Sequence, residues 1–196
     1  MSNKIIYLHG FNSSPQSYKA QILLRYMSRI GQQDKLIIPQ LSPYPDCAIA
    51  QIEELIGSQE TNHELEKLCF IGSSLGGYYS TWFAEKTNSP AVLINPSVKP
   101  YETLAEYIGE NENYYTSEKW QFDQSHIKQL LDIEIQKITQ PERYLVLLQT
   151  GDEVLDYRQA EVKYSSCQLQ IEQGGDHSFQ GFENHIEELL SFAGIE

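Results

Sequence analysis

Positive charge is scarce in this chain of 196 residues. Fourteen Lys and Arg stand against 27 Asp and Glu, for a formal net charge of −13. No stretch gathers the few cations into the basic stripe that a nucleic-acid partner needs, so the acidity reads as a solvated surface. Long apolar runs are missing as well. Nothing approaches the ~20 consecutive apolar residues that span a bilayer. Cysteine is limited to Cys47, Cys69 and Cys167. An odd and widely spaced set makes neither a disulfide framework nor a zinc site. Cys69, inside Leu68-Cys69-Phe70-Ile71, reads as a small core residue. Met1-Ser2-Asn3-Lys4 leads straight into Ile5-Ile6-Tyr7-Leu8, without the longer apolar stretch and small-residue cleavage site of a signal peptide. The expected compartment is the cytoplasm.

What is present is aromatic and alternating. Thirteen Tyr, seven Phe and two Trp suit a packed globule, and the length suits one domain. Strands are predicted at 4–8, 35–38, 68–71, 91–94, 144–148 and 168–172. The first five are continuously apolar, as in a parallel sheet covered on both faces. The last alternates, with Leu169 and Ile171 on one face, and reads as an edge strand. Helical spacing covers 17–30, a stretch through Ile49, Ile52, Leu55 and Ile56 that stops near Gly57, then 75–86 and 182–192. The predicted architecture is α/β: a mostly parallel sheet of about six strands with helices on both faces.

Residues 97–141 break the rhythm, because they separate two strands by far more than a usual connection. Tyr101, Tyr107, Tyr114, Tyr115, Trp120 and Phe122 alternate there with Glu102, Glu106, Glu110 and Glu112. A short helical insert is expected, serving as packing or as a partial lid. Residues 127–138 fit a helix or a short strand.

Gly72-Ser73-Ser74-Leu75-Gly76 follows the third strand and opens a helix. G-x-S-x-G in that setting is a nucleophile turn, with Ser74 at its centre. The flanking glycines avoid collisions in the strained turn, Gly77 permits close helix packing, and the helix N-terminus aims partial positive charge at the serine. A serine needs a base. His177, in Gly174-Gly175-Asp176-His177-Ser178-Phe179, follows the edge strand and precedes the last helix. His63 reads as solvated, His126 belongs to the insert, and His185 reads as a surface residue. The base needs an acid to fix its tautomer. Asp152 follows Gly151 at the end of the fifth strand and is favoured over Asp156, which suits a helix cap, and over Glu153. Asp176 adjoins the base in sequence and reads as a loop residue. For the oxyanion hole the amides of Leu75 and Phe11 are the candidate donors, with Asn12 the alternative to Phe11. Gly10 is expected to turn this loop inward, and His9 to brace it by a hydrogen bond.

The order Ser74, Asp152, His177 is that of α/β-hydrolases. Leu-His-Gly-Phe-Asn-Ser-Ser at 8–14, Gly-Ser-Ser-Leu-Gly-Gly-Tyr-Tyr at 72–79 and Ile-Asn-Pro at 94–96 carry a further likeness. With Gln-Thr-Gly-Asp-Glu-Val-Leu-Asp-Tyr-Arg at 149–158 and Gly-Gly-Asp-His-Ser-Phe at 174–179, they resemble the YqiA-like small bacterial esterases over nearly the whole chain. The resemblance implies a compact single-domain α/β-hydrolase, a carboxylesterase or thioesterase, with its acid at Asp152 and its base at His177. The expected substrate is a small-molecule acyl ester, with no cofactor or metal. A thioester of coenzyme A is the alternative, with Lys99 and Arg158 as candidate phosphate partners. A binding module that retains a hydrolase fold is the non-enzymatic alternative.

Overall fold

Ile5 and Tyr7 point to one side of their strand and Ile6 and Leu8 to the other, and all four are buried. The same alternation holds in the neighbouring strands, so the sheet has two apolar faces and needs a helical layer on each. The computed structural model describes residues 3–60 and 67–195. His63 lies outside them.

The strands are β1 (Asn3–Leu8), β2 (Leu36–Ile37), β3 (Lys67–Ser73), β4 (Ala91–Ile94), β7 (Tyr144–Gln149) and β8 (Gln168–Glu172). They form one sheet in the order β2-β1-β3-β4-β7-β8, and every pairing is parallel. On one face Ile5, Tyr7, Cys69, Ile71, Val92 and Leu145 pack against α1 (Tyr18–Arg29) and α7 (Ile186–Phe192). On the other face Ile6, Phe70, Leu93 and Val146 meet α2 (Pro45–Glu60), α3 (Leu75–Thr87) and α6 (Tyr157–Lys163). Each fully buried Leu, Ile or Phe contributes roughly 1.5–3 kcal/mol, so these two layers carry most of the fold's stability. Cys69 lies in the core, and burial pushes its thiol up to about 12.

Several boundaries differ from the sequence reading. The second strand is only two residues long, because its chain turns away at Ile38-Pro39. Helix α2 runs past Gly57 to Glu60. The last helical stretch begins as a 3-10 turn at Phe182–His185 before α7. The insert holds α4 (Pro100–Thr103) and α5 (Gln124–Asp132), and between them an antiparallel hairpin of β5 (Gly109–Glu112) and β6 (Lys119–Phe122). A helical reading missed the hairpin because its strands are four residues each and only Asn111, Trp120 and Phe122 are buried in them.

The chain leaves β1 toward β2 on one side and later fills β4, β7 and β8 on the other. The switch point therefore lies between β1 and β3, where α/β sheets open a crevice at their strand ends. Close backbone approach makes that crevice. A Cβ on Gly76 would collide with the carbonyl oxygen of Leu8, and one on Gly72 with the carbonyl of Gly76. Gly76 thus clears the neighbouring strand as well as the turn itself. Gly76→Ala is expected to destabilise the protein by about 3 kcal/mol or more, since the clash is with backbone that cannot rotate away. Urea denaturation beside Gly57→Ala, where a Cβ meets open space, checks this.

Candidate active site

Strand β3 delivers Ser74 directly into the N-terminus of α3. Ser74 has φ 56° and ψ −122°, a conformation that non-glycine residues rarely adopt. Its amide donates to the Ile94 carbonyl (3.1 Å), and its own carbonyl accepts from the amides of Gly77 (2.9 Å) and Ser97 (3.0 Å). These bonds fix the turn from both sides and leave the hydroxyl facing the crevice.

Three side chains meet there. His177 Nε2 stands 3.1 Å from Ser74 Oγ, and His177 Nδ1 stands 2.8 Å from Asp152 Oδ2 and 3.0 Å from Oδ1. Asp152 is almost fully buried, with a side-chain exposure of 2%. Its Oδ1 also accepts from the amides of Val154 (2.9 Å) and Leu155 (2.8 Å), which stabilise the carboxylate in place of water. An imidazole with Nδ1–H donated to this carboxylate presents a basic Nε2 to the serine.

The rivals for the acid have other work. Asp156 caps α6, accepting from the Arg158 amide (3.1 Å). Glu153 accepts from the backbone N–H of His177 (3.0 Å), so it holds the main chain at that residue. Asp176 does not face the ring; its Oδ2 accepts from Gln180 (2.9 Å). Of the other histidines, His9 is buried and burial lowers its pKa. Its Nδ1 donates to the Gly10 carbonyl (3.0 Å) while Nε2 accepts from the Leu41 amide (3.1 Å), which braces the loop after β1. His126 completes a capping box with Asp123 at the start of α5. His185 departs from the surface reading. It is 14% exposed, pairs with Glu172 at 2.9 Å and meets the edge of the Phe179 ring.

Phe11 and Leu75 both border the crevice beside Ser74 and His177. Leu75 is the first residue of α3, where a backbone N–H has no partner within its helix. Asn12, the alternative donor, is buried with φ 51° and tied into structure. Its Oδ1 accepts from Trp120 Nε1 (2.8 Å), its Nδ2 donates to Asn111 Oδ1 (3.3 Å), and its carbonyl accepts from the Tyr114 amide (3.0 Å). Gly10 has no positive φ. A Cβ there would stand 3.2 Å from Ser74 Cβ, so its role is close approach rather than an unusual turn.

The insert forms one wall of the crevice. Phe11 meets the rings of Tyr107 (5.3 Å), Trp120 (5.4 Å) and Phe122 (5.7 Å) edge-on. Pro100, Leu104, Tyr107 and Tyr114 line one side, and Val154 and Leu155 the other, of a cleft of about 200 Å3 that ends at Ser74. Lys99 and Arg158 border a separate groove together with Lys163, Val98, Ile135 and Val162. Lys99 pairs there with Glu102 (2.9 Å) and Arg158 with Asp156 (3.3 Å).

Sequence reasoning passed over the residues that hold the His177 loop. Asn95 Nδ2 donates to the carbonyls of Asp176 (3.0 Å) and His177 (3.4 Å), and its Oδ1 accepts from the Gln149 amide (2.9 Å). Gln149 Oε1 accepts from the amides of Asp176 (3.2 Å) and Gln180 (2.8 Å). Both residues stand in the motifs at 94–96 and 149–158 and close apolar strands, but nothing local in the sequence assigns them these partners.

The sheet order, the helical layers and a serine turn at the switch point define an α/β-hydrolase fold. A crystal structure from Agrobacterium vitis S4, named as a candidate hydrolase, superposes with a TM-score of 0.76 at 17% identity, covering 100% of this chain and 88% of its own. Est1E from Butyrivibrio proteoclasticus with ferulic acid bound gives 0.68 at 14% identity, covering 97% and 87%. By sequence the chain belongs to UPF0227, an uncharacterised protein family, whose pattern matches residues 4–194. Its relatives include the UPF0227 protein YcfP of Salmonella gallinarum, 23% identical over 96% of this chain and 97% of the relative.

Asp156→Ala is expected to cost about 0.5–2 kcal/mol through the lost cap of α6. Chemical denaturation reads that cost, and Ser74 reactivity toward a fluorophosphonate is expected to stay within about twofold of the parent, because Asp156 does not touch His177.

Proposed function

We propose that this protein is a serine hydrolase that cleaves carboxylic acyl esters of short to medium chain through a covalent acyl-enzyme. The observation that carries the reading is the continuous line from buried Asp152 through His177 to Ser74 Oγ. His177 Nε2 takes the hydroxyl proton as Oγ attacks the ester carbonyl. The amides of Leu75 and Phe11 receive the negative charge on the carbonyl oxygen, and the loss of one such donor typically costs about 3 kcal/mol of transition-state stabilisation. The imidazolium, stabilised by Asp152, then protonates the departing alkoxide. A water molecule enters, His177 removes its proton, and the acyl group leaves as a carboxylic acid. The apolar walls formed by Leu104, Tyr107, Val154 and Leu155 suit the acyl chain. Est1E, similar in fold, is solved with ferulic acid, a carboxylic acid of the kind ester hydrolysis releases, which supports the reading by analogy of fold.

A second reading, hydrolysis of an acyl thioester of coenzyme A, is favoured by the groove that holds Lys99, Arg158 and Lys163 in an otherwise acidic protein. Burial lowers the pKa of Lys163. Glu134 lines the same groove and its charge opposes that shift, so a phosphate there would compete with a carboxylate for Lys163.

Hydrolysis of a chain-length series of p-nitrophenyl esters beside matching acyl-CoA thioesters separates the two. Ester turnover is expected, with Ser74→Ala reduced by at least about a thousandfold. A preference for the thioesters would favour the second reading. Turnover that survives Ser74→Ala would overturn both.

A further inference from the structure

Ser178 follows the proposed base, and its carbonyl accepts a hydrogen bond from Lys19 Nζ at 2.9 Å. Lys19 is the second residue of α1, a different element from the strands that hold the rest of the loop. The carbonyls of 176, 177 and 178 are thus caught by side-chain donors from two directions, Asn95 taking the first two and Lys19 the third. Lys19 is the only one of these donors that carries a charge. It is half-buried, and its electrostatic partners are the carboxylates of Asp176 and Asp152. Asp176 Oδ1 is itself buried and accepts no hydrogen bond among the described residues. The Lys19 ammonium acts on this carboxylate through space, without a direct ion pair among the described residues.

We propose that Lys19 is a positioning residue for catalysis, clamping the 176–178 loop from α1 so that the His177 ring stays in line between Asp152 and Ser74. The inference rests on the hydrolase reading of Ser74, Asp152 and His177. It adds a requirement which that reading does not contain: an ammonium outside the triad must be present for the base to be aligned. Loss of the clamp frees the loop on the side away from Asn95. It also removes the positive charge whose field reaches Asp176 and Asp152.

The charge state gives the clamp a signature. Burial pushes the Lys19 ammonium down to about 8, against the opposing pull of Asp176 and Asp152. The group is therefore charged below about pH 8 and neutral above it. A neutral amine still reaches the Ser178 carbonyl but no longer attracts the two carboxylates. The charged groups that act on it are Asp176, on the loop after β8, and Asp152, on the loop after β7.

The test is the second-order rate at which a fluorophosphonate labels Ser74, from pH 6 to 10, for the parent, Lys19→Met and Lys19→Arg, with thermal melting of each. The parent rate is expected to fall as pH rises through about 8. Lys19→Met is expected to label about ten- to a hundredfold more slowly at pH 7, the scale of loss that a small misplacement of a reacting group produces, and to lack the alkaline fall. Lys19→Arg is expected to keep most of the rate and to hold it beyond pH 9, because guanidinium stays charged. Equal rates and an equal alkaline fall in the parent and Lys19→Met would overturn the proposal while the triad stands. A parent that is not labelled at Ser74 would overturn the triad reading and this inference together. Should Lys19→Met fail to fold, Lys19→Arg decides: an alkaline fall unchanged from the parent overturns the proposal.

Discussion

The close approach of the third strand and its following helix to the first strand is the constraint on which the rest depends. Ser74 occupies a backbone conformation with φ 56° that costs on the order of 1–3 kcal/mol for a non-glycine residue. That cost persists only because the surroundings leave no alternative. Gly76 lies against the Leu8 carbonyl, Gly72 against Gly76, and Gly77 packs where a Cβ would stand 2.7 Å from Pro96. The backbone bonds from Ser74 to Ile94 and from Ser97 to Ser74 close the turn. The energy comes from the two apolar faces of the sheet, which hold these backbones at distances side chains would not permit.

Once the turn is fixed, the remaining groups are brought to it by independent elements. Strand β7 ends in a loop that buries Asp152 beneath two backbone amides. Strand β8 ends in the His177 loop, whose carbonyls and amides are bonded to Asn95 and Gln149 at the tips of β4 and β7. The loop after β1 is braced by His9 on one side and stitched by Asn12 to the hairpin on the other. Each strand tip thus holds its neighbour's loop. A substitution such as Asn95→Ala acts on the His177 loop without touching the side chains of Ser74, Asp152 or His177.

The sheet and the site were legible in the sequence to different depths. Continuous apolar runs gave the central strands, because burial on both faces leaves little room for polar residues there, and the alternation of Leu169 and Ile171 gave the edge. Ser74, His177 and Asp152 were legible because each follows a strand and is bounded by glycine, a local pattern with a physical cause. The hairpin of the insert was not. Its strands are short, and it is held by Phe11, Asn12 and Ser13, which lie about a hundred residues away in sequence. Long-range partners leave no periodicity to read. The same holds for His185, read as a surface residue until Glu172 and Phe179 are seen beside it, and for Lys19, one lysine in the first turn of a helix until the fold sets it beside Ser178.

The central claim is that Ser74 becomes acylated. Rapid acid quench of the protein with p-nitrophenyl butyrate, followed by intact-mass and peptide mass spectrometry, tests it most directly. The account predicts a transient butyryl adduct on the peptide that contains Ser74, formed before steady-state release of butyrate. Ester turnover with no adduct at Ser74, or with an adduct on another residue, would contradict it.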